Sequence, residues 1–269
     1  MPELAEVEIA RRCLTRWTVG RRIVAVDVID ARVVATPESV LRDALVGASI
    51  ARWERRGKQL LAVAGEHALL AHLGMTGKWV SSPAPGALRH ACIRLETEEG
   101  AVTYTDVRRF GEVRLECISA ARTRLAALGP DAWDAPMSPV ELHGSLARTA
   151  RPLVQALMDQ SRVAGLGNIA VIEAAFRAGL HPLTPASDLG LAACTELLRA
   201  IREHLAMVLG RDDGEPVAYV SEGAENPFLV YGRRGEGCPR CAATLAATSH
   251  AGRPVVWCEA CQPKEHATA

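Results

Sequence analysis

The pattern of apolar residues divides the chain into a strand-rich first half and a helical second half. Apolar residues recur at helical spacing over residues 3–18 and predict an amphipathic helix. Five strand-like runs follow, which are RIVAVDVID, RWERRGKQLLAVA, HALLAHLGM, ACIRLET and AVTYTDV. We therefore expect a β-rich N-terminal domain over residues 1–130.

The second half of the chain reads as helices followed by a small cysteine module. The segment GPDAWDAPMSP (129–139) is rich in Pro, Asp and Gly, which predicts a linker. Beyond it, helical patterning covers VELHGSLART, PLVQALMDQ and DLGLAACTELLRAIREHLAMVLGR. We predict a helical domain over residues 131–232 and a cysteine module over residues 233–269.

Composition and charge change this picture only slightly. The length of 269 residues suits more than one domain, and 49% hydrophobic residues can supply the cores. No apolar run is long enough to span a membrane, so we expect a soluble cytosolic protein. Equal numbers of basic and acidic residues, 31 each, do not favour a nucleic-acid partner. Local clusters such as RWERRGK (52–58) make this weak evidence, because binding depends on local charge.

Eight cysteines fall into two groups. Four are scattered and predicted to be small core residues in a reducing compartment: Cys13, Cys92, Cys117 and Cys194. The other four form C-x2-C-x16-C-x2-C, with ligands at Cys238, Cys241, Cys258 and Cys261. This spacing predicts a closed tetrahedral zinc site with a structural role, although disulfides or a metal-free cluster stay possible. The sequence between the pairs predicts two strands, with Arg253 at the hairpin tip and able to reach a phosphate.

Two further stretches have both an ordinary and a chemical interpretation. The opening MPELAEVE suits a capped helix, but removal of the methionine would leave Pro2 with a free secondary amine. In SRVAGLGNIAVIEAAFRAGLHP (161–182), Asn168 could cap the following helix, whose N–H groups would suit a phosphate. An ordinary helix–turn–helix joint fits that stretch equally well, and Glu173 reads as a structural or electrostatic residue.

Six motifs in one order carry a family resemblance. They are MPELAEVE, RRGKQLL, HLGMTGKW, TDVRRFG, AGLGNIAVIEAAFRAGLHP and the cysteine pattern. Over nearly its whole length the chain resembles the formamidopyrimidine-DNA glycosylase and endonuclease VIII family. The resemblance implies an α+β fold, with an N-terminal β-sandwich flanked by helices and a C-terminal helix–two-turn–helix domain with a zinc hairpin. It also implies one structural Zn²⁺ per chain.

The resemblance implies a bifunctional enzyme of base-excision repair, a DNA glycosylase with AP-lyase activity. Pro2 would attack C1′ of the damaged nucleotide and form an iminium ion, from which β- and δ-elimination follow. Glu3 would act as the acid and base, Lys58 is the third predicted catalytic residue, and Glu6 is a weaker candidate.

Further residues match the family's contacts to DNA. The matches to its phosphate contacts are Lys58, His72, Asn168 and Arg253. The matches to the residues that fill the gap left by the extruded nucleotide are Met75, Arg108 and Phe110. Taken alone, Met75 and Phe110 would suit a core, His72 a buried structural position and Lys58 a solvated surface.

The sequence departs from the family pattern at four places, of which the second and the fourth named below, Val154 and the stretch 217–232, bear on the base pocket. The four places are Ala5, Val154, Ala170 and the stretch 217–232, which is several residues short. We expect action on oxidised bases such as formamidopyrimidines and 8-oxoguanine. The alternatives are oxidised pyrimidines, hydantoins or abasic sites, or a non-catalytic damaged-DNA-binding protein. The expected partner is double-stranded DNA with a damaged base or abasic site, bound by a monomer without a membrane, in the cytoplasm and associated with the nucleoid.

Overall fold

The computed structural model describes residues 2–82, 88–134, 137–212, 214–215 and 225–264. Within them, a first compact unit contains the chain up to Ala127 and the short stretch at 211–215. A second unit contains Leu128–Gly210 and residues 225–264. Among the helices of this described part, none has the length and apolar character that a bilayer crossing requires.

In its described residues, the first unit contains three α-helices and eight strands. The helices are α1 (Leu4–Thr18), α2 (Glu38–Leu45) and α3 (Ile118–Ala126). The strands are β1 (Ile23–Val28), β2 (Ile50–Arg56), β3 (Gln59–Ala64), β4 (His67–His72), β5 (Lys78–Ser82), β6 (Ala91–Thr97), β7 (Gly100–Thr105) and β8 (Glu112–Cys117). They form two four-stranded antiparallel sheets, ordered β1-β6-β7-β5 and β2-β3-β4-β8.

One hydrophobic core joins the two sheets and α1, which confirms the predicted N-terminal β-sandwich. Trp53 of β2 meets Trp79 of β5 edge to face at 6.0 Å, and Trp79 lies 5.4 Å from Tyr104 of β7. Val7 and Leu14 of α1 belong to the same core. Aromatic side chains bury large apolar areas, so these three rings compensate for the low aromatic content.

The structure adds elements that the sequence pattern did not predict. The run RWERRGKQLLAVA is two strands, because Gly57 has a φ of 56° and turns the chain with Lys58. Strands β5 and β8 and helices α2 and α3 were also not predicted. Helix α3 packs on β3, β4 and β8. It covers the second face of their sheet, so β3 and β4 are continuous apolar runs without alternation.

The second unit is helical and ends in a hairpin. Its elements are α4 (Pro139–Leu146), α5 (Leu153–Leu157), α6 (Asn168–Ala178), α7 (Leu191–Leu209), β9 (Ala246–His250) and β10 (Arg253–Trp257). Helix α6 packs against α5, α7 and β10. Most of its residues are buried, Phe176 among them, and it ends at Gly179 in the left-handed conformation. The two strands confirm the hairpin predicted between the cysteine pairs.

Two expectations were wrong in detail. Part of the predicted linker is ordered and buried: Asp131 is 1% exposed and pairs with Ala164 in a β-bridge. Its carboxylate accepts the N–H groups of Trp133 and Asp134, so Asp and Pro here form an ordered turn. Cys117 is exposed, because it lies at the junction of β8 and α3, whereas the other three scattered cysteines are buried as predicted.

Candidate active site

The first residues of the chain form a buried acidic cluster at the start of α1. Pro2 is buried, and Glu3 is 2% exposed and forms the N-cap of the helix. The Glu6 carboxylate accepts the N–H of Glu3 at 2.9 Å. Burial, together with the nearby charge of Glu3, raises the pKa of Glu6 above its ordinary value. The chemistry predicted for Pro2 and Glu3 would therefore take place in a sheltered environment.

Lys58 and His72 lie next to each other at the ends of their strands. Lys58 is in the β2–β3 turn, and His72 at the end of β4 pairs directly with Gln59. His72 Nδ1 accepts the N–H of Gly74 at 3.1 Å. Burial and then the charge of Lys58 lower the pKa of His72. A neutral imidazole that accepts at Nδ1 carries its proton on Nε2, so His72 can donate one hydrogen bond to a phosphate.

A buried charge network connects this turn to α1. The Arg55 side chain is fully buried, and it donates from Nε to Glu8 of α1 at 3.3 Å and from Nη1 to the Gly57 carbonyl at 3.0 Å. Glu8 also accepts from Arg11 and Arg12. Burial alone would raise the pKa of Glu8, but these arginines outweigh it and lower the pKa. The turn that carries Lys58 is thus fixed relative to the helix that begins after Glu3.

The three predicted gap-filling residues lie on two loops of the same unit. Met75 is half-buried between β4 and β5. Arg108 and Phe110 are exposed between β7 and β8, and Phe110 retains 57% of its accessible surface. The Arg108 guanidinium stacks on the Phe110 ring at 4.8 Å. Phe110 also lines a cavity of about 310 Å³ with His72. An aromatic ring exposed to this extent excludes the core interpretation of Phe110.

Asn168 is the first residue of α6, and its predicted capping role was wrong. The N-cap is Gly167, in an extended conformation, and the Asn168 side chain is buried. Its Nδ2 donates to the carbonyl of Pro254 in β10 at 2.8 Å. Its buried Oδ1 accepts no hydrogen bond within the described part of the chain. Asn168 thus ties the helix start to the hairpin, beside the exposed Arg253.

The four cysteines of the C-terminal module converge as predicted. Their Sγ atoms all lie within 4.8 Å of one another. Cys238 and Cys261 are 3.9 Å apart at sulfur, and Cys241 and Cys258 are 3.5 Å apart, much longer than a disulfide of about 2.05 Å. A tetrahedron with metal–sulfur bonds of about 2.3 Å has edges of this order. The donor set fits a metal ion, and all four positions come from the protein.

The far end of α6 also holds this module. Arg240 donates to the carbonyls of Phe176 and Arg177, both at 2.9 Å, and lies over the Phe176 ring. Gln262 is fully buried, accepts the Cys258 N–H and donates to the Leu180 carbonyl. Neither residue was identified from the sequence, since their partners are backbone carbonyls and amides that no sequence motif marks.

Glu173 has the structural role that the sequence suggested. It is fully buried in the middle of α6. Its carboxylate accepts the backbone N–H groups of Leu229, Val230 and Tyr231 at 2.8–2.9 Å. Hydrogen bonds to a buried charge are stronger than those to a neutral group. This carboxylate therefore fixes the chain that leads into the cysteine module.

The departures from the family pattern lie in different places. Ala5, Val154 and Ala170 are all buried, at 2%, 1% and 2% exposure. An apolar residue suits such a position, and the buried Val154 offers no polar group to a ligand. The first half of the shortened stretch, residues 217–224, lies outside the described residues.

Removing one cysteine of the cluster should release the metal and weaken DNA binding. For Cys258→Ala we expect loss of bound metal and a drop in affinity of about tenfold or more, because zinc–thiolate binding supports the fold of such modules. Metal content and fluorescence anisotropy with an abasic-site duplex measure both effects. Cys194→Ala is the matched control, since Cys194 is equally buried in the same unit. Unchanged affinity for Cys258→Ala would contradict the structural role of the cluster.

The family comparison agrees with the motifs. The model of the formamidopyrimidine-DNA glycosylase N-terminal domain matches residues 1–113, and that of the H2TH domain of the same enzyme matches residues 128–216. A formamidopyrimidine-DNA glycosylase from a Synechococcus species is 35% identical over 280 residues, which cover 98% of this chain and 99% of the relative.

Solved structures from Lactococcus lactis show the same fold. The formamidopyrimidine-DNA glycosylase of this organism, bound non-covalently to DNA that contains an AP site, has a TM-score of 0.89 at 29% identity, over 97% of this chain and 100% of that one. Its complex with DNA that contains an N7-benzyl formamidopyrimidine has a TM-score of 0.88 over 98% and 100% of the two chains. By family models, sequence identity and fold, this chain belongs to the formamidopyrimidine-DNA glycosylase family, as the motifs predicted.

Proposed function

We propose that this protein is a base-excision-repair DNA glycosylase with AP-lyase activity on oxidised bases such as formamidopyrimidines and 8-oxoguanine. The observation that carries the proposal is the buried Pro2–Glu3 pair at the start of α1 in a chain of this family. The proposal requires removal of Met1, which leaves Pro2 with a secondary amine. A free α-amino group has a pKa of roughly 7.7–8.0, so a useful fraction is unprotonated near neutral pH.

The proposed reaction begins with attack of the Pro2 nitrogen on C1′ of the damaged nucleotide. The N–C1′ bond forms, the glycosidic bond breaks, and the base leaves with its bonding electrons, while the nitrogen gives up its proton, which balances the one that the base takes up. Glu3 protonates the sugar ring oxygen, so the C1′–O4′ bond opens and an iminium ion results. The iminium makes the C2′ proton acidic. Its loss expels the 3′ phosphate, and a second elimination expels the 5′ phosphate before water releases the sugar fragment.

Residues of both units would hold the DNA backbone. Lys58 and Arg253 would each contribute a positive charge, and the neutral His72 would donate from Nε2. Asn168 would bind a phosphate beside the start of α6, where backbone N–H groups favour anions. We propose that Met75, Arg108 and Phe110 fill the gap left by the extruded nucleotide. The contacts to phosphates position the duplex on the protein, but they do not read its base sequence.

The metal would be Zn²⁺, held by the four converging cysteines. With no position left open, it would support the hairpin that presents Arg253 and would take no part in the reaction. We propose that the N-terminal domain, residues 1–130, carries out the reaction. The helical domain, residues 131–232, and the cysteine module, residues 233–269, would provide further contacts to DNA. We propose a monomer in the cytoplasm, associated with the nucleoid, whose partner is double-stranded DNA with a damaged base or abasic site.

One observation favours a second substrate class. Val154 departs from the family pattern and is buried and apolar, so it offers the base no polar contact of the kind that a lysine would supply. Oxidised pyrimidines, hydantoins or bare abasic sites would not require it. Preference for thymine glycol over 8-oxoguanine opposite cytosine, in single-turnover excision, would support this alternative.

Borohydride trapping tests the proposed class of function. Purified protein with Met1 removed is incubated with a duplex that carries one abasic site, and sodium borohydride reduces any iminium to a stable amine. A covalent protein–DNA adduct with the mass of both partners is the expected result. If the correctly trimmed protein forms no adduct, the lyase proposal is wrong, and damage binding without chemistry takes its place.

The salt dependence of DNA binding should report the number of cationic phosphate contacts. The logarithm of the binding constant should fall linearly with that of the salt concentration, because counterions leave the DNA. Arg253→Gln should reduce the slope by about 1. His72→Gln should leave the slope unchanged at pH 7.5, because the lowered pKa of His72 keeps it neutral. A slope that is reduced in His72→Gln, as it is in Arg253→Gln, would show that the imidazole binds DNA as a cation.

A further inference from the structure

Asp106 lies buried at the start of the loop that carries Arg108 and Phe110. It is fully buried. Its Oδ1 accepts the Arg108 N–H at 3.1 Å, and its Oδ2 accepts the Gly111 N–H at 2.8 Å. One carboxylate therefore binds the backbone on both sides of Arg109 and Phe110.

The same carboxylate reaches the loop that carries Met75. The Thr76 hydroxyl donates to Asp106 Oδ1 at 2.6 Å and accepts the Arg108 N–H at 3.1 Å. We call Asp106, Thr76 and the N–H groups of Arg108 and Gly111 the Asp106 brace. Through it, two loops that are 30 residues apart in the chain share one buried acceptor.

A second carboxylate fixes the middle of the loop from outside. Arg109 has a φ of 57°, a left-handed conformation that is uncommon for residues other than glycine. Its Nε donates to Asp30 at 2.6 Å and its Nη1 donates to the His90 carbonyl at 3.2 Å. Hydrogen bonds from Arg32 and Arg109 hold the pKa of Asp30 well below its ordinary value, so this acceptor stays charged. The unusual backbone conformation of Arg109 thus has a specific partner.

Two glycines allow the loops to come this close. A Cβ on Gly74 would lie 2.4 Å from the Phe110 carbonyl carbon, and one on Gly111 would lie 2.8 Å from the His72 carbonyl oxygen, where the other loop begins. Real Cβ atoms do not approach other atoms so closely, so larger residues would push the loops apart. The close approach of the two loops therefore depends on glycine at both positions.

We propose that the Asp106 brace positions the gap-filling residues before DNA arrives. This inference rests on the function proposed above. Arg108 and Phe110 project from a loop whose backbone is held at both ends and in its middle, and Met75 directly precedes Thr76. A preorganised wedge loses little conformational freedom when it enters the duplex. Asp106 and Thr76 are positioning residues, since they hold the loops and do not themselves face the DNA.

The carboxylate is specifically suited to this role. An ionised Asp only accepts hydrogen bonds, and here both of its oxygens face donors. In Asp106→Asn one side of the amide would present an NH₂ group to an N–H or to the Thr76 hydroxyl. Thr76→Val keeps the shape of the side chain but removes the hydroxyl, whereas Thr76→Ser keeps the hydroxyl. These three variants separate hydrogen bonding from packing.

The test measures wedge insertion directly. A duplex carries a tetrahydrofuran abasic analogue with 2-aminopurine opposite, and its fluorescence is recorded at saturating protein. For Asp106→Asn and Thr76→Val we expect an insertion equilibrium about tenfold weaker, the effect of one lost hydrogen bond to a charged group. A ten-to-one equilibrium would become about even, so the amplitude falls to about half. Thr76→Ser should keep the wild-type amplitude.

Matched controls address general destabilisation. Thr97→Val removes a buried hydroxyl that donates to the Gly100 carbonyl in the same unit, and Asp131→Asn alters a buried carboxylate that accepts two N–H groups in the other unit. Both should keep the wild-type amplitude. Wild-type amplitudes in Asp106→Asn and Thr76→Val, or an equal loss in the controls, would overturn the proposal. Failure of the wild type to form a borohydride adduct would instead overturn the lyase chemistry, and the fluorescence comparison would still stand.

Discussion

A protein with two extra residues before Pro2 should form no borohydride-trapped adduct with an abasic-site duplex. In the extended chain the Pro2 nitrogen belongs to an amide, whose electron pair is delocalised and cannot attack C1′. The loss should be complete on a denaturing gel, because the adduct requires a covalent bond to that nitrogen. DNA affinity should stay near that of the trimmed protein, since the phosphate contacts proposed above are unaffected.

The control for this experiment is the same two residues added after Ala269. That protein should form the adduct at the wild-type rate. If the N-terminally extended protein still formed the adduct, another amine would be the nucleophile. Lys58 would then be the first candidate, because the Arg55 network ties its turn to α1. Peptide mapping of the trapped adduct would identify the attached residue.

Glu3→Gln should lower the rate of base excision by about 10²–10⁴-fold, the usual contribution of a general acid or base. Gln has nearly the same shape as Glu and can still occupy the buried N-cap position, so the helix should form. It cannot deliver a proton to the sugar ring oxygen. Single-turnover excision of a damaged base measures the loss, and anisotropy with the same duplex should show retained binding.

Glu6→Gln is the matched control for Glu3→Gln. Glu6 is three residues further along the same helix, and its oxygen accepts the Glu3 N–H, which a Gln side chain can also do. Burial and the charge of Glu3 raise the pKa of Glu6 and so favour its neutral form. We therefore expect a much smaller loss for Glu6→Gln. Equal losses in the two variants would mean that the acid–base role does not belong to Glu3 alone.

Local patterns in the sequence identified those features whose partners lie close along the chain. The helix over residues 3–18, the hairpin between the cysteine pairs and the four-thiol cluster were all recognisable, because period and spacing specify them. Strand β8 and helix α3 were not recognised. The sequence of β8, EVRLEC, does alternate between polar and apolar residues, but the strand runs directly into α3 without a turn residue that would mark its end.

The supporting residues were missed for a different physical reason. Arg55 meets Glu8 across 47 residues of sequence, and Thr76 meets Asp106 across 30. Neither pair is marked by a local sequence pattern, because its two residues come together only in the tertiary structure. The prediction that Asn168 caps its helix was wrong for the same reason. The sequence showed a polar residue at a helix start, but its side chain donates to the Pro254 carbonyl, 86 residues away. Sequence motifs indicated the candidate functional residues, whereas the residues that hold them in place had no motif.

The attachment of the cysteine module along α6 has a consequence for the order of folding. Cys238 and Cys261 are only 23 residues apart, so a metal ion can close this loop early and at low entropic cost. The contacts that attach the module to α6 span longer distances along the chain, 56–58 residues at Glu173, 82 at Gln262 and 86 at Asn168. Contacts between distant segments form late. We therefore expect the hairpin that presents Arg253 to form before it docks on α6.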